Sequence, residues 1–158
     1  MANTPVSLTE EEIELMAKVE GAMQAVMLNE LAILQNGKVE RTFNSHFANE
    51  ISNAINKAGI RSDPFYNKHG DAAKRLNGGI IELDIAVHER FTDKNNLVAI
   101  ELETNNSPAM DDLWKIEGLT QELGGYGYKL GLYVVFGISK RAGQIIIKYW
   151  YKNGTPVK

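Results

Sequence analysis

The sequence of 158 residues contains no cysteine. This absence excludes a disulfide framework, a thiolate metal site and catalysis by a cysteine nucleophile. A long apolar run is also missing, because the longest one, LGLYVVFGI, is far shorter than the ~20 residues that a membrane-spanning helix needs. The opening stretch MANTPVSLTEEE has no basic-then-apolar signal pattern. These features predict a cytoplasmic protein with no membrane partner.

An excess of positive charge is missing as well. The chain has 17 Lys and Arg against 20 Asp and Glu, which gives a formal net charge of -3. Because affinity for phosphates comes mainly from Lys and Arg that displace counterions, this charge argues against a protein that coats nucleic acid. A nuclease with this composition would need a local basic groove or bound cations.

The hydrophobic content, 44% of the residues, is enough for one domain with a buried core. Two helices are predicted before any strand. Thr9 and Glu12 form a capping-box pattern in front of a helix over residues 13–34, and Gly37 provides its C-cap signal. A second helix is predicted over residues 39–58, where an apolar residue recurs at every fourth position. Its stripe is Phe43, Phe47, Ile51 and Ile55.

After Gly59 the apolar period changes from helical to alternating. The stretch IRSDPFY is a weak strand, which Pro64 restricts to an edge position. Residues 67–79 are predicted as a loop with a helical turn near residues 71–76. The stretches IIELDIAVHER and LVAIELET then form two strands of a hairpin around the turn FTDKNN.

The last third of the chain adds one helix and two strands. The helix is predicted in PAMDDLWKIEGLTQEL, with Pro108 near its start and Leu113, Ile116, Leu119 and Leu123 facing the core. The strands are KLGLYVVFGI, which is apolar enough for the middle of a sheet, and GQIIIKYWY. The order of elements predicts an α/β domain with a mixed sheet flanked by helices.

Acidic residues recur on one face of each hairpin strand. Strict alternation puts Ile81, Leu83, Ile85 and Val87 on one face of the first strand and Glu82, Asp84, Ala86 and His88 on the other. On the second strand, Glu101 and Glu103 share a face with Leu97 and Ala99. Cross-strand neighbours have Cβ atoms ~4.5–5.5 Å apart, so the carboxylates would crowd together. Such crowding is tolerable only if water or a cation separates the charges, and all-oxygen clusters suit Mg²⁺, Mn²⁺ or Ca²⁺.

With Asp84 and Glu101 on adjacent strands, a helix before them, and a helix and a buried strand after them, the chain resembles the PD-(D/E)xK superfamily. This superfamily is also called restriction-endonuclease-like, and the chain is similar to uncharacterised prokaryotic members of it. The stretches that carry the resemblance are ERTFNSHFANEI, DPFYNKHG, ELDIAVHER, NNLVAIELETNN, DDLWKIEGLT and YGYKLGLYVVF, within residues 39–138. The resemblance implies an α-β-α sandwich around a central mixed sheet over residues 38–158. Residues 1–37 would then be an extra long N-terminal helix.

The resemblance also implies a site and a reaction. Asp84 would match the metal-binding Asp, Glu101 the acidic ligand, and Leu102 would offer its backbone carbonyl. Glu40 would match the helical Glu that completes the metal shell in many members. The implied activity is hydrolysis of phosphodiester bonds in DNA or RNA with Mg²⁺ or Mn²⁺.

The sequence departs from the family at Glu103, which occupies the position of the motif Lys. A carboxylate there could bind metal, but it cannot donate to an anionic transition state. Some members carry this Lys on the following helix, and Lys115 is the candidate for that role.

Several other interpretations of these residues stay open. The carboxylates could be the solvated face of a hairpin, Glu40 could simply favour a helix N-terminus, and Lys115 could pair only with Asp112. His88 lies on the predicted Asp84 face but would more often be a hydrogen-bonded rim residue.

Two other functions also stay open. The chain could be a non-catalytic metal- or protein-binding module that forms a homodimer through the first helix, because a long amphipathic arm needs a partner surface. A carboxylate-based hydrolase acting on a small sugar or phosphate substrate would need a pocket lined with aromatic residues near Glu101.

Overall fold

The computed structural model describes residues 6–37, 40–66, 68–69, 72–76, 79–90, 92, 94–121 and 126–157. Over these residues, none of the helices combines the length and the apolar character that crossing a membrane requires. The helices are α1 Glu10–Asn29, α2 Leu31–Asn36, α3 Glu40–Ile55 and α4 Leu113–Thr120, with a 3-10 helix at Ser139–Arg141. The strands are β1 Ile60–Tyr66, β2 Lys68–His69, β3 Ala72–Ala73, β4 Arg75–Leu76, β5 Gly79–Ile80, β6 Leu83–Glu89, β7 Asn96–Thr104, β8 Leu130–Phe136, β9 Ile145–Lys152 and β10 Thr155–Pro156.

The predicted capping box starts α1. The Thr9 hydroxyl accepts from the Glu12 N–H at 3.1 Å, and the Thr9 N–H donates to Glu12 Oε1 at 2.9 Å. The predicted single helix is divided at Glu30, where the backbone leaves helical geometry, and it resumes as α2. Gly37 ends α2 in the left-handed conformation at φ +80°, a conformation that glycine adopts without steric cost.

Several predicted boundaries differ in the structure. The second helix ends at Ile55 and not at residue 58. The segment predicted as a loop with a helical turn contains two short antiparallel pairs, β2–β3 and β4–β5; Asp71 lies outside the described residues. The fourth helix begins at Leu113 and not near Pro108, because Met110, at φ +64°, leaves the helical region between them. Leu123 lies outside the described residues.

Six strands form the central sheet in the order β1-β6-β7-β8-β9-β10. The strand pair β7–β8 is parallel and the other neighbours are antiparallel, so the sheet is mixed. The Pro64-containing strand β1 lies at an edge, and the fully buried β8 lies inside the sheet, as predicted. The connection from β7 to β8 contains α4. Parallel strands need such a long crossover, because a tight turn can join only antiparallel strands.

Helices cover both faces of this sheet. One hydrophobic cluster joins α1 and α3 to Val98, Ile100 and Leu102 of β7. A second cluster joins Ile116 and Leu119 of α4 to the opposite face. The architecture is therefore α/β, with a six-stranded mixed sheet and a long N-terminal helix.

The first helix belongs to this core. Its residues Val19, Met23 and Val26 are buried in the same cluster as the stripe of α3. The sequence predicts residues 1–37 as an N-terminal helix that could serve as a dimerisation arm beside the domain of residues 38–158. The described part of that segment packs its apolar face on the sheet and on α3. Ile13 and Leu28 are the large apolar side chains of α1 that stay exposed among the described residues. Dimerisation through this helix stays a prediction.

Strict alternation is wrong at three hairpin positions. The register shifts between Val87 and His88, so that Val87 pairs with Val98 while His88 pairs with Asn96. Leu97 is the extra residue of this bulge, and it packs in the α1/α3 cluster and not on the face of Ala99. A bulge changes the face of the residues beyond it.

The other two exceptions are Ile81 and Leu83. Both pack in the α4 cluster, whereas Ile85 packs in the α1/α3 cluster. The pairing with β1 is irregular here, because Phe65, at φ +56°, lies between the paired residues Pro64 and Tyr66.

The edge strand β1 is tied to β6 by a partly buried group of polar and charged side chains. His88 is 1% exposed, and its Nε2 donates to Asp63 Oδ2 at 2.8 Å. Arg90 donates to both oxygens of Asp63, at 2.8 and 2.5 Å. Burial alone would raise the pKa of Asp63, but the hydrogen bonds from Arg90 and His88 outweigh burial and hold this pKa well below its ordinary value.

We expect Asp63→Asn to lower the free energy of unfolding by roughly 2–3 kcal/mol at pH 7, because it removes charge-assisted hydrogen bonds from a buried His. Since the pKa of Asp63 is lower in the folded state, its contribution is full above the unfolded pKa near ~4 and is lost as the pH falls below it. Urea unfolding at pH 7 and at lower pH measures both effects.

Glu14→Gln is the matched control, because Glu14 pairs with Lys18 at 3.3 Å on the surface. Its expected change is below about 0.5 kcal/mol. If both variants lost the same stability at pH 7, Asp63 would contribute no more than a surface pair.

Candidate functional site

Asp84 is positioned by contacts from two other elements. The Asn44 Nδ2 of α3 donates to the Asp84 backbone carbonyl at 3.0 Å. The Leu102 N–H of β7 donates to Asp84 Oδ2 at 2.9 Å. Because Ile85 pairs with Ile100 across the hairpin, Asp84 and Glu101 are the next residues outward on their strands. The two carboxyl groups therefore converge, as the sequence predicted.

Glu101 is the most deeply buried carboxyl group of the site, at 1% exposure. Burial raises the pKa of Glu101 well above its ordinary value, and the nearby charge of Asp84 adds to this effect. Burial also raises the pKa of Asp84, although a hydrogen bond from Glu101 and the Leu102 N–H partly offset it. The raised pKa of both groups favours a state in which one proton is shared between the two carboxyl groups.

Lys115 approaches this pair from α4. Its Nζ lies 3.9 Å from Glu101 Oε2 and 3.1 Å from Asp112 Oδ1. Burial alone would lower the pKa of Lys115, but the neighbouring acidic residues Glu101 and Asp112 outweigh burial and raise this pKa. The predicted pairing with Asp112 is present, and the amine reaches the acidic residues as well.

Glu40 and Glu103 lie at the outer part of the site. Glu40 Oε2 accepts from the Thr104 N–H at 3.3 Å and from its hydroxyl at 3.4 Å. Burial raises the pKa of Glu40, partly against these hydrogen bonds. Burial also raises the pKa of Glu103, which lies beside the Tyr133 hydroxyl. The Glu103 position holds a carboxyl group directed toward the same cleft.

These residues surround an open cleft of about 310 Å³. All the residues proposed from the sequence lie in its wall: Glu40, Asp84, Glu101, Leu102, Glu103 and Lys115. No site role was predicted for Thr104, Asp112 or Asn44. Asn44 had one usable signal, because it is a polar residue next to the apolar stripe of α3 and it is 2% exposed.

The donor set fits a hard divalent cation in chemistry, but its described side chains are not preformed around one. Among the described residues, no group of three or more His, Asp or Glu side chains has metal-site geometry. Glu40 is bonded to Thr104, and Asp84 to Leu102 and Glu101. Glu101 Oε1, however, is buried and has no hydrogen-bond partner among the described residues. A cation held by Asp84 and Glu101 would satisfy that oxygen in place of the shared proton.

Two other sequence interpretations receive no support from the cleft. His88 is bound to Asp63 and packs against Tyr66, with ring centroids 4.2 Å apart, and it does not line the cleft. No aromatic side chain of the described residues lines the cleft, although a sugar hydrolase would need one. Five of the ten lining residues carry carboxyl groups.

We expect Glu101→Gln to raise the free energy of unfolding by about 1–2 kcal/mol at pH 8 in EDTA. The pKa of Glu101 is higher in the folded state, so its effect on stability becomes more unfavourable as the pH rises from the unfolded pKa through the folded pKa. Gln cannot ionise, and its amide can donate to Asp84 as the protonated acid does. Urea unfolding at pH 8 and pH 4 should show a gain that shrinks at the lower pH.

Glu117→Gln is the control, since Glu117 is an exposed residue of the same helix as Lys115. If Glu101→Gln lost stability at pH 8 while Glu117→Gln stayed unchanged, the ionised Glu101 carboxyl group would not destabilise the folded state.

Comparisons of this chain with protein-family models, with curated proteins and with solved structures find no match.

Proposed function

We propose that this chain is a metal-dependent nuclease of the restriction-endonuclease-like type that hydrolyses phosphodiester bonds of DNA or RNA. The observation that carries the proposal is the position of Lys115, whose Nζ lies 3.9 Å from Glu101 Oε2 in a cleft shared with Asp84. The acidic pair and the Lys115 ammonium group therefore lie in the same cleft, although Glu103 occupies the position of the motif Lys. The hairpin, the helix and the parallel strand that follow one another around the cleft agree with that type of fold.

Each residue has a part in the proposed reaction. Asp84, Glu101 and the Leu102 carbonyl would hold Mg²⁺ or Mn²⁺. The bound ion would polarise the scissile phosphate and lower the pKa of the attacking water. Lys115 would donate to a phosphate oxygen and stabilise the charge that develops there. The Lys115–Asp112 contact holds the amine toward the cleft, and this restriction reduces the entropy lost when substrate binds.

Glu103 favours a second candidate function. Its carboxyl group adds negative charge where the family has a cation, so the same cleft would bind a divalent ion without cutting nucleic acid. The alternative is therefore a non-catalytic metal- or protein-binding module. A thermal shift with Mg²⁺ or Mn²⁺ that depends on Asp84, without any cleavage, would favour this alternative.

The first test is cleavage of plasmid, single-stranded DNA and RNA with Mg²⁺ or Mn²⁺. We expect Asp84→Ala and Glu101→Gln to abolish cleavage, because each removes a metal ligand. Lys115→Ala should lower the rate about 10²–10³-fold, the usual effect of removing one donor to a developing charge. Gel assays of purified protein provide the measurement.

Lys18→Ala is the control for these assays, because Lys18 pairs with Glu14 on α1, outside the cleft. Its rate should equal that of the wild type. Cleavage that survives Asp84→Ala would come from a contaminant or another site, and it would remove the basis of the proposal.

A second test moves the positive charge from position 115 to position 103. If Lys115 has taken over the role of the motif Lys, Glu103→Lys should restore part of the activity lost in Lys115→Ala, by about tenfold. The comparison needs Lys115→Ala alone and the double variant, each with a thermal denaturation curve. Glu103→Gln in the Lys115→Ala background is the matched control, because it removes the negative charge without adding a donor. Equal rates for the two double variants would count against a shared role for the two positions.

A further inference from the structure

A second cleft adjoins the candidate active site. Its volume is about 290 Å³, and it shares Glu40 and Asp84 with the first cleft. These two residues form the wall between the clefts. A chain-like substrate that crosses Asp84 from the Lys115 side would therefore enter the second cleft next.

Arg41 is the cationic side chain among the residues that line the second cleft. Its guanidinium carbon lies 3.8 Å from the centre of the Phe65 ring, a close cation–π contact. Within the described part of the chain, Arg41 forms no salt bridge with a carboxylate. Lys115 differs, because it already contacts Glu101 and Asp112. The N–H edge of Arg41 is thus left for an anionic ligand.

Phe65 is placed for this contact by an irregular backbone. It has φ +56°, a left-handed conformation that is unfavourable for a non-glycine residue. Its neighbours Pro64 and Tyr66 pair with β6, so the irregularity is confined to Phe65. Stacking restricts the guanidinium to one plane, which favours two parallel hydrogen bonds to a phosphate.

We propose that Arg41, held on Phe65, binds the backbone phosphate next to the scissile one, so that the substrate strand runs from the Lys115 cleft into the Arg41 cleft. This inference rests on the proposed function, since it takes the substrate to be a polynucleotide. The carboxylates of Glu40, Glu82 and Asp84 in the same cleft oppose an isolated anion. A phosphate that belongs to a strand already held at Asp84 binds at high effective concentration, which offsets this repulsion.

The test is fluorescence anisotropy with a fluorescein-labelled single-stranded oligonucleotide of about a dozen nucleotides, as DNA and as RNA, in Ca²⁺ over a range of salt. Arg41→Ala should weaken binding about tenfold and reduce the salt slope by about one, because one phosphate contact is lost. Arg41→Lys should keep the slope but recover only part of the affinity. Phe65→Leu should weaken binding about threefold, because it removes the ring face.

Arg61→Ala is the matched control. Arg61 is an exposed residue of β1, the strand that also contains Phe65. It lines neither cleft. The two Arg variants have the same net charge, so a general charge effect would weaken binding equally. A salt slope reduced only in Arg41→Ala cannot come from a structural change alone, and thermal denaturation checks the fold of each variant.

The outcomes separate this inference from the proposed function. If Arg41→Ala binds like Arg61→Ala while Asp84-dependent cleavage persists, the phosphate site is overturned and the nuclease stands. If Arg41→Ala weakens binding but no cleavage occurs with Mg²⁺ or Mn²⁺, the phosphate site stands and hydrolysis is overturned. If the wild type binds neither oligonucleotide, the phosphate site is overturned, and the cleavage assay with plasmid, single-stranded DNA and RNA decides the proposed function.

Discussion

The candidate site depends on one buried contact, the pairing of the Glu101 and Asp84 carboxyl groups on adjacent strands. Two ionised carboxylates cannot stay this close in a buried position without a proton or a cation between them. Without a metal ion, a shared proton fits this role, since burial raises the pKa of both groups. A divalent ion would replace that proton, and in this way the contact links the stability of the fold to its proposed chemistry.

The fold keeps this unfavourable contact in place from both sides of the sheet. From one side, Asn44 of α3 bonds the backbone of Asp84, and from the other, Lys115 of α4 approaches Glu101. The Leu102 N–H fixes the Asp84 carboxylate itself. These neighbours are themselves held by the buried clusters around α3 and α4. Functional groups that would separate if they were free are therefore held together by packing of the hydrophobic core, which contributes most of the stability.

Much of the fold could be predicted from local patterns. The capping box at Thr9, the C-cap glycine at position 37, the edge strand with Pro64 and the apolar strand β8 each follow from the residues themselves. The residues assigned to the wrong face are Leu97, Leu83 and Ile81. They lie at or beyond the points where the pairing of strands becomes irregular. Irregular pairing has no signature in the alternation of polar and apolar residues, because it arises when two distant segments adjust to one another.

The candidate site, like the fold, could be predicted from the sequence only in part. By itself, the sequence determined which chemical groups are available: no thiolate, several carboxylates on an alternating hairpin, and Lys115 one helix later. Only the tertiary structure decided that Lys115 reaches Glu101, that His88 is bound to Asp63 away from the cleft, and that Arg41 stacks on Phe65. The physical reason is that residue type and spacing set the local conformation. The distance between residues far apart in the chain depends on how helices and strands pack against a common core.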